Sequence, residues 1–93
     1  MYYILKDKEP VKATLEEFGK FMVDADRVVA RAEIGETVVS TVFLGIDHNF
    51  LGGSPLLFET MIFGGEHDQY QDRCSTYEEA LKMHKKALNL VTK

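Results

Sequence analysis

Cysteine is nearly absent from this chain. Cys74 is the only one in 93 residues, which excludes a disulfide framework and any cysteine-based zinc site within one chain. Positive charge is also scarce: 11 basic residues stand against 15 acidic ones, for a formal net charge of -4. A nonspecific nucleic-acid binder needs a dense positive field, so that class is set aside. The lysines that do cluster, Lys82, Lys85, Lys86 and Lys93, fall near the C-terminus, where they read as complements to a helix dipole. The apolar runs are far short of the roughly 20 residues of a membrane span. Met1-Tyr2-Tyr3 is not followed by the basic and then apolar stretch of a signal peptide. The expected compartment is the cytoplasm.

What is present is ordinary for a folded protein. Apolar residues make up 45% and charged residues 28%, far from the composition of disordered chains. A chain of this length is expected to form one domain, residues 1–93, because neither half would bury enough interior alone. The core is expected to be thin, and a homo-oligomer would bury more apolar surface.

Tyr2 to Leu5 reads as a short strand, Lys6 to Glu9 as a turn, and Pro10 to Ala13 as an edge strand where proline is tolerated. Thr14-Leu15-Glu16-Glu17 is a capping box that opens a helix with an apolar stripe of Leu15, Phe18, Met22 and Ala25, Phe21 beside them. Arg27 to Leu44 alternates with period two around Gly35-Glu36, which fits a type II′ hairpin turn. That turn sets Ala32 opposite Val39, Ala30 opposite Thr41, Val28 opposite Phe43 and Arg27 opposite Leu44. The other face then pairs Arg31 with Ser40 and Val29 with Val42, a mixed surface with room for a ligand or a partner subunit.

After a loop from Gly45 to Pro55, Leu56 to Phe63 reads as a third long strand and Tyr70 to Cys74 as its return. Ser75-Thr76-Tyr77-Glu78 is a second capping box before a C-terminal helix, whose apolar face holds Ala80, Leu81, Met83, Ala87, Leu88, Leu90 and Val91. The expected fold is α+β in the order ββ-α-ββββ-α: an antiparallel meander of five to six strands with both helices on one face.

The run from Thr41 to Phe50, followed by Gly52 to Met61 and Phe63-Gly64-Gly65, is the most distinctive stretch. Together with Ser75-Thr76, Glu78-Glu79-Ala80 and Arg27 to Arg31, it resembles a group of small proteins encoded by bacteriophages and prophages. The resemblance covers most of the chain and brings no assigned activity or site residue with it. It implies a phage-type setting, the host-cell cytoplasm, where small acidic proteins often bind and block host components. The function expected from that setting is non-enzymatic: countering host antiviral defence by sequestering a small nucleotide-like signal or by occluding a defence protein. Two alternatives from other classes are an enzyme that uses Asp47 and His48 on a small substrate, and a structural or assembly module.

Candidate site residues follow from the same stretch. Asp47-His48-Asn49 lies in a loop between strong strands, and Gly45, Gly52 and Gly53 would let a ligand approach the backbone. Arg27, His48 and the glycine N–H groups would together suit a small anionic ligand such as a phosphate or carboxylate. The competing reading is an Ω-like connection in which Asp47 and Asn49 bond their own backbone and Phe50 plugs the core. Glu59 interrupts an apolar strand and needs a partner, Arg31 or Arg73; the three are either a ligand-reading polar patch or a cross-strand ion pair.

His48 and His67 are not expected to share a metal ion, because the strand from Leu56 to Phe63 holds their loops roughly 25 Å apart. His84, between Leu81 and Leu88, reads as a hydrogen-bonded core histidine. Ser40, Ser54, Ser75 and Cys74 lack a neighbouring base, Ser75 being taken as a helix cap. Neither glycine pair leads from a strand directly into a helix, as a phosphate-binding loop does. No metal or cofactor is expected.

Overall fold

The computed structural model describes residues 1–49 and 51–92. Phe50 and Lys93, for which a core plug and a helix-end charge were expected, lie outside the described residues. The elements are β1 (Tyr2–Lys6), β2 (Glu9–Ala13), α1 (Leu15–Asp24), β3 (Val28–Ile34), β4 (Thr37–Phe43), β5 (Phe58–Phe63), β6 (Gln71–Cys74) and α2 (Tyr77–Val91). The fold is α+β in the expected order ββ-α-ββββ-α. The strands form two antiparallel sheets instead of one meander: β1-β2, and β3-β4-β5-β6.

Gly45 is where the two sheets part. It has φ +78°, and a Cβ there would stand 2.6 Å from a Phe18 ring carbon and 3.3 Å from the Tyr3 carbonyl oxygen. The chain turns away from β4 at this point, and the β1-β2 hairpin joins it through a bridge between Tyr2 and Ile46 and a Tyr3 N–H bond to the Gly45 carbonyl, 2.8 Å, with Tyr3 and Leu5 packed against the Phe43 cluster. Asp7 and Lys8 close that hairpin with φ of 51° and 70°, the sign pattern of a type I′ turn.

Helix α1 carries the expected capping box: the Glu17 N–H donates to Thr14 Oγ1 at 3.1 Å, and the Thr14 N–H donates to Glu17 Oε1 at 2.9 Å. Its stripe is narrower than expected. Phe18 stacks on Tyr2 and Phe21 packs edge-on against Phe43, but Leu15 is 64% exposed. Leu15 sits in the first turn, on the flank of the Phe18–Phe21–Met22–Ala25 stripe, and the short helix leaves it in solvent.

The β3-β4 hairpin has Ala32 opposite Val39, Arg31 opposite Ser40 and Ala30 opposite Thr41, as expected, with Gly35 at φ 61° in its turn. Beyond Ala30 the expected pairing fails. A bulge sets Val28 opposite Val42, not Phe43. The Phe43 N–H donates to the Arg27 carbonyl at 2.8 Å, so Arg27 stands at Phe43 and not at Leu44. The extra residue on β3 is Val29, which packs against the Phe43 core cluster while Val28 turns out to 47% exposure.

Strand β5 begins two residues later than expected, although Leu57 still exchanges backbone bonds with Leu44 and Cys74. The turn after β5 needs Gly64: it has φ +84°, and a Cβ there would lie 2.5 Å from the Glu36 carbonyl oxygen.

Helix α2 is capped by Thr76 and Glu79, one residue beyond the expected Ser75 and Glu78. Both frames satisfy the S/T-x-x-E pattern; in the observed one Tyr77 is the first helical residue and meets Phe58 edge-on, and Ala80, Met83, His84 and Ala87 are the buried positions. Leu81, expected on the apolar face, lies 48% exposed. Lys82, Lys85 and Lys86 fall before the last turn, which contains no basic residue, so they do not serve as the expected dipole complement.

The core lies between α2 and the larger sheet. One cluster holds Phe43, Leu57, Phe58, Ala80 and Met83, with Phe21 of α1 packed against it. The second holds Val39, Ile62 and Ala87. Between them runs a polar seam: Thr41 and Thr60, directly paired across β4 and β5, join hydroxyls, and Thr41 Oγ1 lies 2.8 Å from His84 Nδ1. Both threonines are fully buried and His84 is 7% exposed.

Burial holds the His84 imidazole below its ordinary value of 6.5. The unfolded chain takes up a proton there that the folded chain refuses, so stability is complete above about pH 7 and declines as pH falls through 6.5 until the folded value is passed. Urea titrations across this range are expected to show that decline, flattened in His84→Leu. Thr41→Val is expected to cost about 1–3 kcal/mol, because it strands the polar atoms of both neighbours. Gly45→Ala is expected to cost about 3 kcal/mol from its left-handed backbone and the Phe18 contact.

Candidate functional site

In the loop from Gly45 to Pro55, the Asp47 and Asn49 side chains bond nearby backbone. Asp47 Oδ1 accepts from the N–H groups of Asn49 at 2.8 Å and Leu56 at 2.9 Å. Asn49 Oδ1 accepts from the Leu51 N–H, and its Nδ2 donates to the Ser54 carbonyl at 2.9 Å. The His48 N–H donates to the Leu56 carbonyl at 3.2 Å. These bonds are those of an Ω-like connection in which Asp and Asn substitute for backbone partners. The two N–H donors hold the Asp47 carboxyl below the ordinary carboxylate value, so it is a fixed anion and poorly suited to proton transfer near neutral pH. Gly52 and Gly53 are exposed at the tip, and Arg27 is exposed beside Phe43, at the start of β3.

The second candidate group divides. Glu59 pairs with Arg73 directly across β5 and β6, Oε2 to Nε at 3.0 Å, and also accepts from Gln71 Nε2. Arg31 pairs with Glu33 on its own strand at 3.1 Å. Since β4 separates β3 from β5, Arg31 and Glu59 are not neighbours, and the cross-strand ion pair forms with Arg73 alone.

Glu59, Met61 and Phe63 lie on the face of the sheet opposite α2, alternating with the buried Phe58, Thr60 and Ile62. Register adds Val38, Ser40 and Val42 from β4 and Val28 and Arg31 from β3 to that face. Among the described residues no helix packs there. Val28 is 47% and Phe63 43% exposed, and Val38, Val42 and Met61 are half-buried by their neighbours. The polar pairs Arg31–Glu33 and Arg73–Glu59 belong to the same face and keep it electrically balanced.

Cys74, Ser75 and Thr76 are not arranged as a nucleophile and base. Burial pushes the Cys74 thiol up to about 11, with Glu79 adding to the shift, so it is protonated and weakly nucleophilic at neutral pH. Ser75 uses its N–H to bond Glu79 Oε1, and Thr76 takes the capping role expected of it. His67 lies in the turn after β5, where its carbonyl accepts from the Tyr70 N–H. Strand β5 separates that turn from the His48 loop. Among the described residues no three His, Cys, Asp or Glu side chains group as metal ligands, and no helix is long and apolar enough to cross a membrane.

Two features escaped the sequence reading. Thr41 was expected on the apolar face of the hairpin, but its bond to His84 and the pairing of its hydroxyl with Thr60 need the placement of α2 and β5. The other is a cleft of about 740 Å³ between the Asp7-Lys8 turn, Ser54-Pro55 and the start of α2, whose walls come from three separated stretches. Comparison with protein-family models, curated proteins and solved structures finds no match to this chain.

Asp47→Ala is expected to speed limited proteolysis within 51–54, because two N–H groups lose their acceptor. Asp47→Asn, which keeps Oδ1, should remain close to the parent. With its folded value depressed, the carboxylate's stabilisation is present above the ordinary 3.8 and disappears as pH falls through the lowered value; loop amide protection followed by NMR in acid would record this.

Proposed function

We propose that this protein is a non-enzymatic binding protein of the phage type its sequence resembles, and that it counteracts host antiviral defence by occluding a defence protein. The observation that carries this reading is the uncovered face of the β3-β4-β5-β6 sheet. A sheet face left to water is normally polar; this one presents Val28, Val38, Val42, Met61 and Phe63 beside two ion pairs. Contiguous exposed apolar surface with polar borders is the usual character of a protein-interaction site. A rigid sheet presents it with little ordering cost on binding. The nucleotide-sequestering form is less well supported, because the loop that would hold an anion bonds its own backbone.

Phage plating on defended hosts that express the protein provides the test. Phe63→Asp and Val28→Asp, both at exposed positions, are expected to keep the melting temperature within a few degrees and to abolish protection. Arg27→Ala and His48→Ala are expected to retain it. Full protection by both aspartate variants would overturn the reading. So would stabilisation by a member of a nucleotide panel, lost in Arg27→Ala, which would restore sequestration. A dimer in light scattering that Phe63→Asp dissociates would make the face a subunit interface instead.

A further inference from the structure

The cleft beside the N-terminus of α2 has a chemistry of its own, separate from the open sheet face. Tyr3, Pro10, Pro55, Tyr77 and Leu81 give it an apolar, partly aromatic floor. Asp7, Glu9 and Glu78 place three carboxylates around it, against the single amine of Lys8. That amine lies 5.6 Å from the centre of the Tyr77 ring, within cation–π range.

We propose that this cleft binds a cationic segment of a partner polypeptide, an extended stretch whose arginine or lysine side chain takes the place of Lys8 over the Tyr77 ring. Charge complementarity selects the sign of the ligand. The start of α2 would ordinarily favour an anion, but the capping box takes part of its donor set: the Glu79 N–H bonds Thr76 Oγ1, and the Thr76 and Ser75 N–H groups bond Glu79 Oε1, which itself sets a carboxylate there. Adding the three rim carboxylates leaves the cleft repulsive to phosphates. Glu78 has a second contact, with Lys82 at 3.8 Å, but that pair is solvent-exposed and weakly held.

Size selects the kind of cation. The volume falls within the roughly 300–1,000 Å³ of pockets that enclose drug-sized ligands, more than one ammonium or guanidinium group fills. An extended peptide lays apolar residues along Pro10, Pro55 and Leu81 while its charged side chain reaches Tyr77. Lys8 acts as an internal stand-in that keeps the ring covered when the cleft is empty, and its exposure makes it easy to displace.

The test is an amide NMR titration of the full chain with a capped Ala-Pro-Arg-Pro-Ala peptide, alongside its glutamate counterpart, arginine amide and inorganic phosphate. Saturable shifts are expected with the arginine peptide at Lys8, Glu9 and residues 75–78, and not with the glutamate peptide or phosphate. Lys8→Asn removes the competing amine and suits the left-handed backbone at that position, so it is expected to tighten binding by about threefold. Glu9→Gln with Glu78→Gln, on exposed positions that leave the fold intact by circular dichroism, is expected to weaken it by about threefold or more. Binding of phosphate or the glutamate peptide, equal binding of arginine amide, weaker binding in Lys8→Asn, or no saturable shift would each overturn the proposal. The open sheet face lies across the sheet from α2, so this result and the phage-plating result stand or fall separately.

Discussion

Helix α2 lies close against the sheet because Ala80 and Ala87 put almost no side chain between them. At that separation the next residue on the buried face, His84, is left only 7% exposed, and an imidazole without a partner would carry a desolvation cost of about 1–3 kcal/mol. Thr41 meets it directly, and Thr60, from the other central strand, bonds the Thr41 hydroxyl. The position of the helix along the sheet follows from this contact. A shift of one residue would take the imidazole away from its Thr41 partner. The two apolar clusters on either side of the seam can each be well packed only in the arrangement that also satisfies it.

Several other features follow from where that contact places α2. Thr76, not Ser75, becomes the cap, because the helix must begin where Tyr77 can meet Phe58 edge-on. Tyr77 then floors the cleft, and Leu81 is carried to its edge. Helix α1 adds to the same side through Phe21 and Phe43, and Gly45 diverts the β1-β2 hairpin past the end of β4. With the covering elements gathered on one side, the opposite side of the sheet has no helix over its valines, Met61 and Phe63 among the described residues. The surface most suited to a partner is thus a consequence of how the core was closed.

The polar loop behaves differently from what its composition suggests. Asp, His, Asn and several glycines between two strands are the ingredients of an anion site, and equally of a loop that must satisfy its own backbone. The bonds made by Asp47 and Asn49 decide for the second use of those two residues. Glu59 was a better guide, since a carboxylate in an apolar strand demanded a cation nearby, and Arg73 on the adjacent strand supplies it. Arg31 matched the same chemical demand but is one strand too far away.

Local physics was legible in the sequence. The α1 capping box, the Gly35-Glu36 turn, the first three pairs of the β3-β4 register and the order of the elements depend on residues a few positions apart, whose interactions hold in almost any surroundings. What depended on distant partners was not legible. The bulge that sends Val29 inward and Val28 outward is stabilised by the core it fills. The choice between Thr76 and Ser75, the exposure of Leu15 and Leu81, and the division into two sheets were likewise settled by packing between elements. The sequence alone determined that the chain would form an α+β arrangement with a buried histidine. Only the tertiary structure decided that His84 would meet Thr41 and, through it, Thr60, and that closing the core there would leave one face of the sheet open.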